Sequence, residues 1–216
     1  MFLVVVVVLT VAAVDALNPS TVLPALLYAV GENGRRDVAV FTSGVFAVST
    51  VGGLALVFGP GQALLAIVSH PRPHIVHIVE LCVGALLLGV AVFLWVTREH
   101  VRGRLSQERR RTGGSAFFVG AAIMATELPT ALPYFGALIA ITEGTHGILV
   151  PLTLVLVYNV VFVAPLIAIL VLIVVAGESG ARVAARLRTW MIRHAPVLLP
   201  LLVGALGVAL MVVAFL

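Results

Sequence analysis

Six apolar stretches, each near or above the roughly 20 residues that a bilayer-spanning helix requires, dominate this chain. They run Phe2–Val30, Val38–Phe58, His74–Thr97, Ser115–Thr142, Ile148–Ala176 and Ala195–Leu216. Between them lie turn-forming or polar breaks such as Gly31-Glu32-Asn33-Gly34, Gly59-Pro60-Gly61, His70-Pro71-Arg72-Pro73, Gly113-Gly114 and Gly144-Thr145-His146-Gly147. With 216 residues, six spans leave no room for a soluble domain. Composition agrees: 62% of residues are hydrophobic and 10% charged, against about 25% charged in soluble domains. So few charges cannot cover a water-facing surface. A soluble fold is excluded, and so is disorder, because ample apolar surface is available to offset ordering entropy.

The N-terminal run to Asp15 lacks a basic leader, and apolar character resumes past Pro19, so it reads as a retained first helix and not a cleaved signal. The piece Gln62–Ser69 is too short to span. Cys82 is the single cysteine, which excludes an internal disulfide and a paired-cysteine redox or zinc motif.

All thirteen basic residues are arginine, and their placement sets an orientation. Arg35 and Arg36, then Arg98, Arg102, Arg104, Arg109, Arg110 and Arg111, then Arg182, Arg186, Arg188 and Arg193 occupy the first, third and fifth loops. Arg72 alone falls on the other side. By the positive-inside rule those three loops are cytoplasmic and both termini lie outside a plasma membrane. The net charge of +4 therefore points to anionic lipid heads at the Arg-rich loops, with no nucleic acid needed to explain it. Ala181–His194 reads as a short interfacial helix, with Val183, Leu187, Trp190 and Met191 on one side and Arg182, Arg186 and Arg193 largely on another.

Two stretches resemble one another. The first apolar run carries Asp15, Asn18, Pro19, Ser20, Thr21 and Pro24; the fourth carries Glu127, Pro129, Thr130 and Pro133. Each is an acid, a proline–hydroxyl pair and a second proline near mid-helix. With three spans per half, about 1–97 and 114–216 joined by the basic loop 98–113, the two halves must be inverted relative to one another. The expected architecture is thus a single all-α transmembrane domain of six helices in two inverted three-helix repeats, with helices 1 and 4 broken and a substrate site where the breaks meet.

Asp15 and Glu127 are the leading site candidates. A charge at bilayer depth costs at least about 2.5 kcal/mol, so each acid must meet a partner, water or ligand, or carry a proton; the bland alternative is a structural acid bonded to backbone freed by the adjacent proline. Prolines 19, 24, 129 and 133 free carbonyls that need polar surroundings, which Asn18, Ser20, Thr21 and Thr130 can supply; a simple kink is the alternative. Tyr158 and Asn159 sit midway along the fifth stretch, where an asparagine serves either helix–helix bonding or substrate. His74, His77 and Glu80, near His70 and Cys82, form a conceivable divalent-metal set, against the plainer reading of ordinary polar residues at a helix mouth. No phosphate loop, nucleophile elbow or nucleotide motif is present, and neither an enzymatic activity nor a cofactor is expected.

Taken together, Asp15-Ala-Leu-Asn18-Pro19-Ser20-Thr21-Val-Leu-Pro24, Glu127-Leu-Pro129-Thr130-Ala-Leu-Pro133-Tyr134 and Tyr158-Asn159-Val-Val-Phe162-Val-Ala-Pro165 resemble the peptidoglycolipid-addressing (GAP, or Sap sulfolipid-addressing) proteins, a branch of the LysE exporter superfamily. The likeness spans nearly the whole chain, and the Glu-Leu-Pro-Thr element is its more specific part. It implies export or flipping of a lipid or glycolipid across the inner membrane. Membrane lipids are the expected partners, and a homodimer and a larger lipid-export machinery both stay open as assemblies. Two rivals share the architecture: a small-solute exporter for amino acids or divalent metal cations, and a non-transporting scaffold for a lipid exporter. A lipid path calls for an apolar, laterally open groove beside Asp15 and Glu127, a solute path for a closed polar cavity, a scaffold for neither.

Overall fold

Helix breaks, more than helices, define the architecture of the computed structural model, which describes residues 1–59, 85, 88, 89, 91–93, 95, 96, 115–128 and 131–214. Every described element is helical: α1 Phe2–Asp15, α2 Pro19–Ala29, α3 Gly34–Phe58, α4 Ala116–Glu127, α5 Leu132–Gly144, α6 Leu149–Val175 and α7 Gly177–Ala214. The first apolar run is divided into α1 and α2, bent by 54° at the Asn18-Pro19 step. The fourth is divided into α4 and α5. Helices α3 and α6 are each long and apolar enough to cross a membrane, and α1 with α2 makes a third span if the bent pair is counted as one. The expected third span, His74–Thr97, lies largely outside the described residues, as does Gln62–Ser69.

Helix α6 is apolar all round, as a lipid-embedded helix is. It buries Tyr158, Asn159, Phe162, Leu166 and Ile169 while exposing Val160, Ile167, Val171 and Val174. One expectation changes at the C-terminal end. Ala181–His194 is not a separate interfacial helix; it is continuous with the following apolar segment in α7, with Pro196 and Pro200 inside the helix. No glycine or turn residue separates Arg193 from the apolar run, and a proline-bearing apolar helix is tolerated where neighbours re-satisfy the backbone. Gly177, at φ 52°, supplies the left-handed step that ends α6 and starts α7.

The chain forms two compact units. One comprises 1–69 and 112–188, and holds α1 to α6. Within it α3 packs against α4 and α6, α1 against α5 and α6, and α2 against α3 and α6; smaller contacts join α5 to α6, α2 to α4 and α3 to α5. At the α3–α4 crossing, a Cβ on Gly44 would overlap the Phe117 carbonyl, and one on Gly120 the Phe41 carbonyl. Two backbones in contact through small residues is how membrane helices gain dispersion energy without a hydrophobic drive. Phe41, Leu26, Ala25 and Val45 fill the adjoining core, and Tyr28 meets Phe41 with ring centroids 5.5 Å apart. The second unit comprises 70–111 and 189–216. In it Gly204 of α7 faces Ala91, and Trp190 stacks on His194 at 4.8 Å.

Candidate functional site

Local chemistry sets the first break. Asp15 closes α1, and the Ala16 N–H still donates to the Ala12 carbonyl. Asn18 then leaves the helical region at φ −58°, ψ 115° and caps α2, its Oδ1 accepting from the Ser20 N–H at 3.1 Å and the Ser20 hydroxyl at 2.7 Å. Pro19 takes the first helical position, where its missing N–H costs nothing. Thr21 is buried and donates to the Asn18 carbonyl at 3.1 Å, so its hydroxyl serves its own helix. Pro24 sits inside α2 without breaking it.

The second break repeats the plan. Glu127 closes α4 as Asp15 closes α1, and Pro133 lies at the start of α5 as Pro19 does in α2. The acid therefore occupies the last position of the first arm in both broken helices. Pro129 and Thr130 lie outside the described residues.

Each acid is held by a donor reaching across from other parts of the chain. The Asn18 side-chain amide donates to Glu127 Oε2 at 2.9 Å, and the Tyr158 hydroxyl of α6 donates to Asp15 Oδ2 at 2.9 Å. Asp15, Asn18 and Glu127 line one cavity of about 240 Å³, completed by Met124, Ala131, Pro133 and Phe162. Three polar groups thus face an apolar wall, and Pro133 in that wall is itself exposed. No basic residue lines the cavity among the described residues. The two carboxyls line the same cavity.

Behind Asp15 lies a buried polar layer. Tyr158 and Asn159 are almost wholly inaccessible, as is Tyr134 of α5. Asn159 donates to the Val155 carbonyl at 2.8 Å and to the Tyr134 hydroxyl at 3.1 Å, and that hydroxyl donates to the Ser49 carbonyl of α3 at 2.8 Å. Asn159 therefore bonds helix to helix and stands outside the cavity lining.

The structure brings together Asp15, Asn18 and Glu127, with Ser20 and Tyr158 one hydrogen bond away; Asn159 sits a layer deeper. His74, His77 and Glu80 lie outside the described residues, and no group of three metal-ligating side chains occurs among the described ones. In the sequence, Tyr134 and Phe162 appear only as members of the quoted motifs, with no role of their own, and Met124 is not singled out. Tyr134 carried a usable signal, since a tyrosine in an apolar helix must find a partner for its hydroxyl; Met124 and Phe162 look like any other apolar wall residues.

The family model described as Sap, sulfolipid-1-addressing protein, matches residues 8–215. No curated protein and no solved structure matches the chain significantly.

Proposed function

The chain belongs to the Sap, sulfolipid-1-addressing protein family, and from that premise we propose that it exports or flips a lipid or glycolipid across the plasma membrane in a proton-linked cycle. One observation carries the mechanism: Asp15 and Glu127 end the first arms of two broken helices and meet in one cavity, each bonded to a donor from elsewhere in the chain. A headgroup entering that cavity competes for the carboxyls and for the Asn18 amide. Gain or loss of a proton at the acid pair changes the strength of both cross-links, because a hydrogen bond to an ionised acceptor is roughly twice as strong as a neutral one. Breaking and remaking them alternates access between the two membrane faces.

The packing supports two inverted halves of a LysE-like plan. Exchanging α1 with α4, α2 with α5 and α3 with α6 maps the principal helix contacts of the first unit onto the same set, the α3–α6 contact onto itself. Six spans, extracytoplasmic termini and Arg-rich cytoplasmic loops touching anionic lipid complete the reading. A lipid path is favoured by the apolar side of the cavity and its exposed Pro133. The rival small-solute reading rests on volume: about 240 Å³ is below the roughly 300–1,000 Å³ of drug-sized ligand pockets.

Reconstitution in proteoliposomes separates the two. Movement of a fluorescent glycolipid between leaflets, followed by quenching of the outer leaflet, supports the lipid reading. Release of entrapped amino acid or divalent cation with no lipid movement overturns it.

A further inference from the structure

Tyr134 ties together three helices around one atom. Its hydroxyl donates to the Ser49 carbonyl of α3 and accepts from the Asn159 amide of α6, while the tyrosine itself belongs to α5. The seat is cut to fit: a Cβ at Gly53 of α3 would collide with the Tyr134 hydroxyl. The ring lies against Tyr158, with centroids 4.7 Å apart and planes 36° from parallel. Tyr158 in turn donates to Asp15. No other route of the same kind connects the second arm of the second broken helix to the acid of the first, among the hydrogen bonds and ring contacts described.

We propose that Tyr134 is a positioning residue for Asp15: seated on Gly53 and pinned by Ser49 and Asn159, it backs the Tyr158 ring and so fixes the hydroxyl that holds the Asp15 carboxyl. This rests on the proton-linked reading of Asp15. Movement of α5 then reaches Asp15 through two rings in tilted contact, and occupancy of the cavity is coupled to the second broken helix. Of the titratable groups around Asp15, Tyr158 of α6 bonds it directly, Tyr134 of α5 lies behind the Tyr158 ring, and Glu127 of α4 lines the same cavity; Asn18 of α2 shares that cavity and does not titrate.

The test is a double-mutant cycle on full-length protein in proteoliposomes. Tyr134→Phe keeps the ring and leaves the Asn159 amide its bond to Val155. It should lower transport by roughly three- to tenfold, the effect of losing one buried hydrogen bond, and displace the pH profile in the same direction as Tyr158→Phe. The double variant should add little beyond Tyr158→Phe, because the two residues act through one chain of contacts. A Tyr134→Phe protein that transports less at every pH with an unmoved profile, or effects of the two substitutions that add fully, overturns the proposal. If Tyr134→Phe does not accumulate, Asn159→Leu, which removes the donor to the same hydroxyl, must shift the profile or the proposal fails. Loss of transport in Asp15→Asn with a normal Tyr134→Phe sinks this inference alone; normal transport in Asp15→Asn sinks the reading beneath it.

Discussion

Asn18, which caps the second arm of one broken helix, donates its side-chain amide to Glu127, the last residue of the first arm of the other, at 2.9 Å. One residue thereby performs two tasks, since its Oδ1 stops the N-terminus of α2 from fraying while its Nδ2 links two segments 109 residues apart.

Asn18→Ala should separate these tasks from pure folding. Loss of the cap costs about 1 kcal/mol, and loss of the bond to Glu127 adds about 0.5–3 kcal/mol, the upper end applying when Glu127 is ionised. Asn18→Ser retains a capping oxygen and is too short to keep a donor at Glu127. The alanine variant should melt below the serine variant in detergent, and both should transport poorly; an Asn18→Ser protein with wild-type transport would show that the link to Glu127 is dispensable.

The α3–α4 crossing makes a stability prediction independent of function. Gly44→Ala puts a methyl group where the Phe117 carbonyl lies, and backbone cannot yield as a side chain does. Overpacking of this kind costs about 1–3 kcal/mol. Thermal melting should fall clearly for Gly44→Ala and for Gly120→Ala, and hardly at all for Gly136→Ala, whose surroundings are open. Equal melting temperatures would mean the helices do not cross there.

The proposed orientation rests on arginine placement alone. In a Cys82→Ser background, single cysteines beside Arg104 or Arg188 should resist an impermeant thiol reagent in intact cells and react once the membrane is opened. Ready labelling beside Arg104 in intact cells would reverse the topology.

Replacing His74 and His77 together should leave transport largely intact. Loss of activity that added divalent metal restores would favour a metal site over the lipid reading.

Much of this was legible in the sequence, and the reasons are physical. Asp15, Glu127 and the prolines stand out because hydrocarbon penalises charge and open backbone so heavily that each occurrence demands an explanation. The breaks in the first and fourth runs follow from the same cost. What escaped was three-dimensional: Tyr134 and Tyr158 are 24 positions apart, and nothing in either segment says that their rings touch or that Gly53 seats a hydroxyl. Asn159 was readable as a polar core residue, but its choice of Tyr134 over the cavity depends on how α5 and α6 meet. The continuity of α7 through Pro196 was missed because a proline near a charged-to-apolar boundary reads as a helix start as readily as a helix interior.

The central claim is that Asp15 and Glu127 form one proton-linked transport site. Its most direct measurement is lipid movement in proteoliposomes across a range of pH for the wild type, Asp15→Asn and Glu127→Gln. The account predicts pH-dependent movement by the wild type, and in each neutral variant a protein that folds and inserts yet loses both the transport and its pH dependence. Wild-type transport by both neutral variants would contradict it.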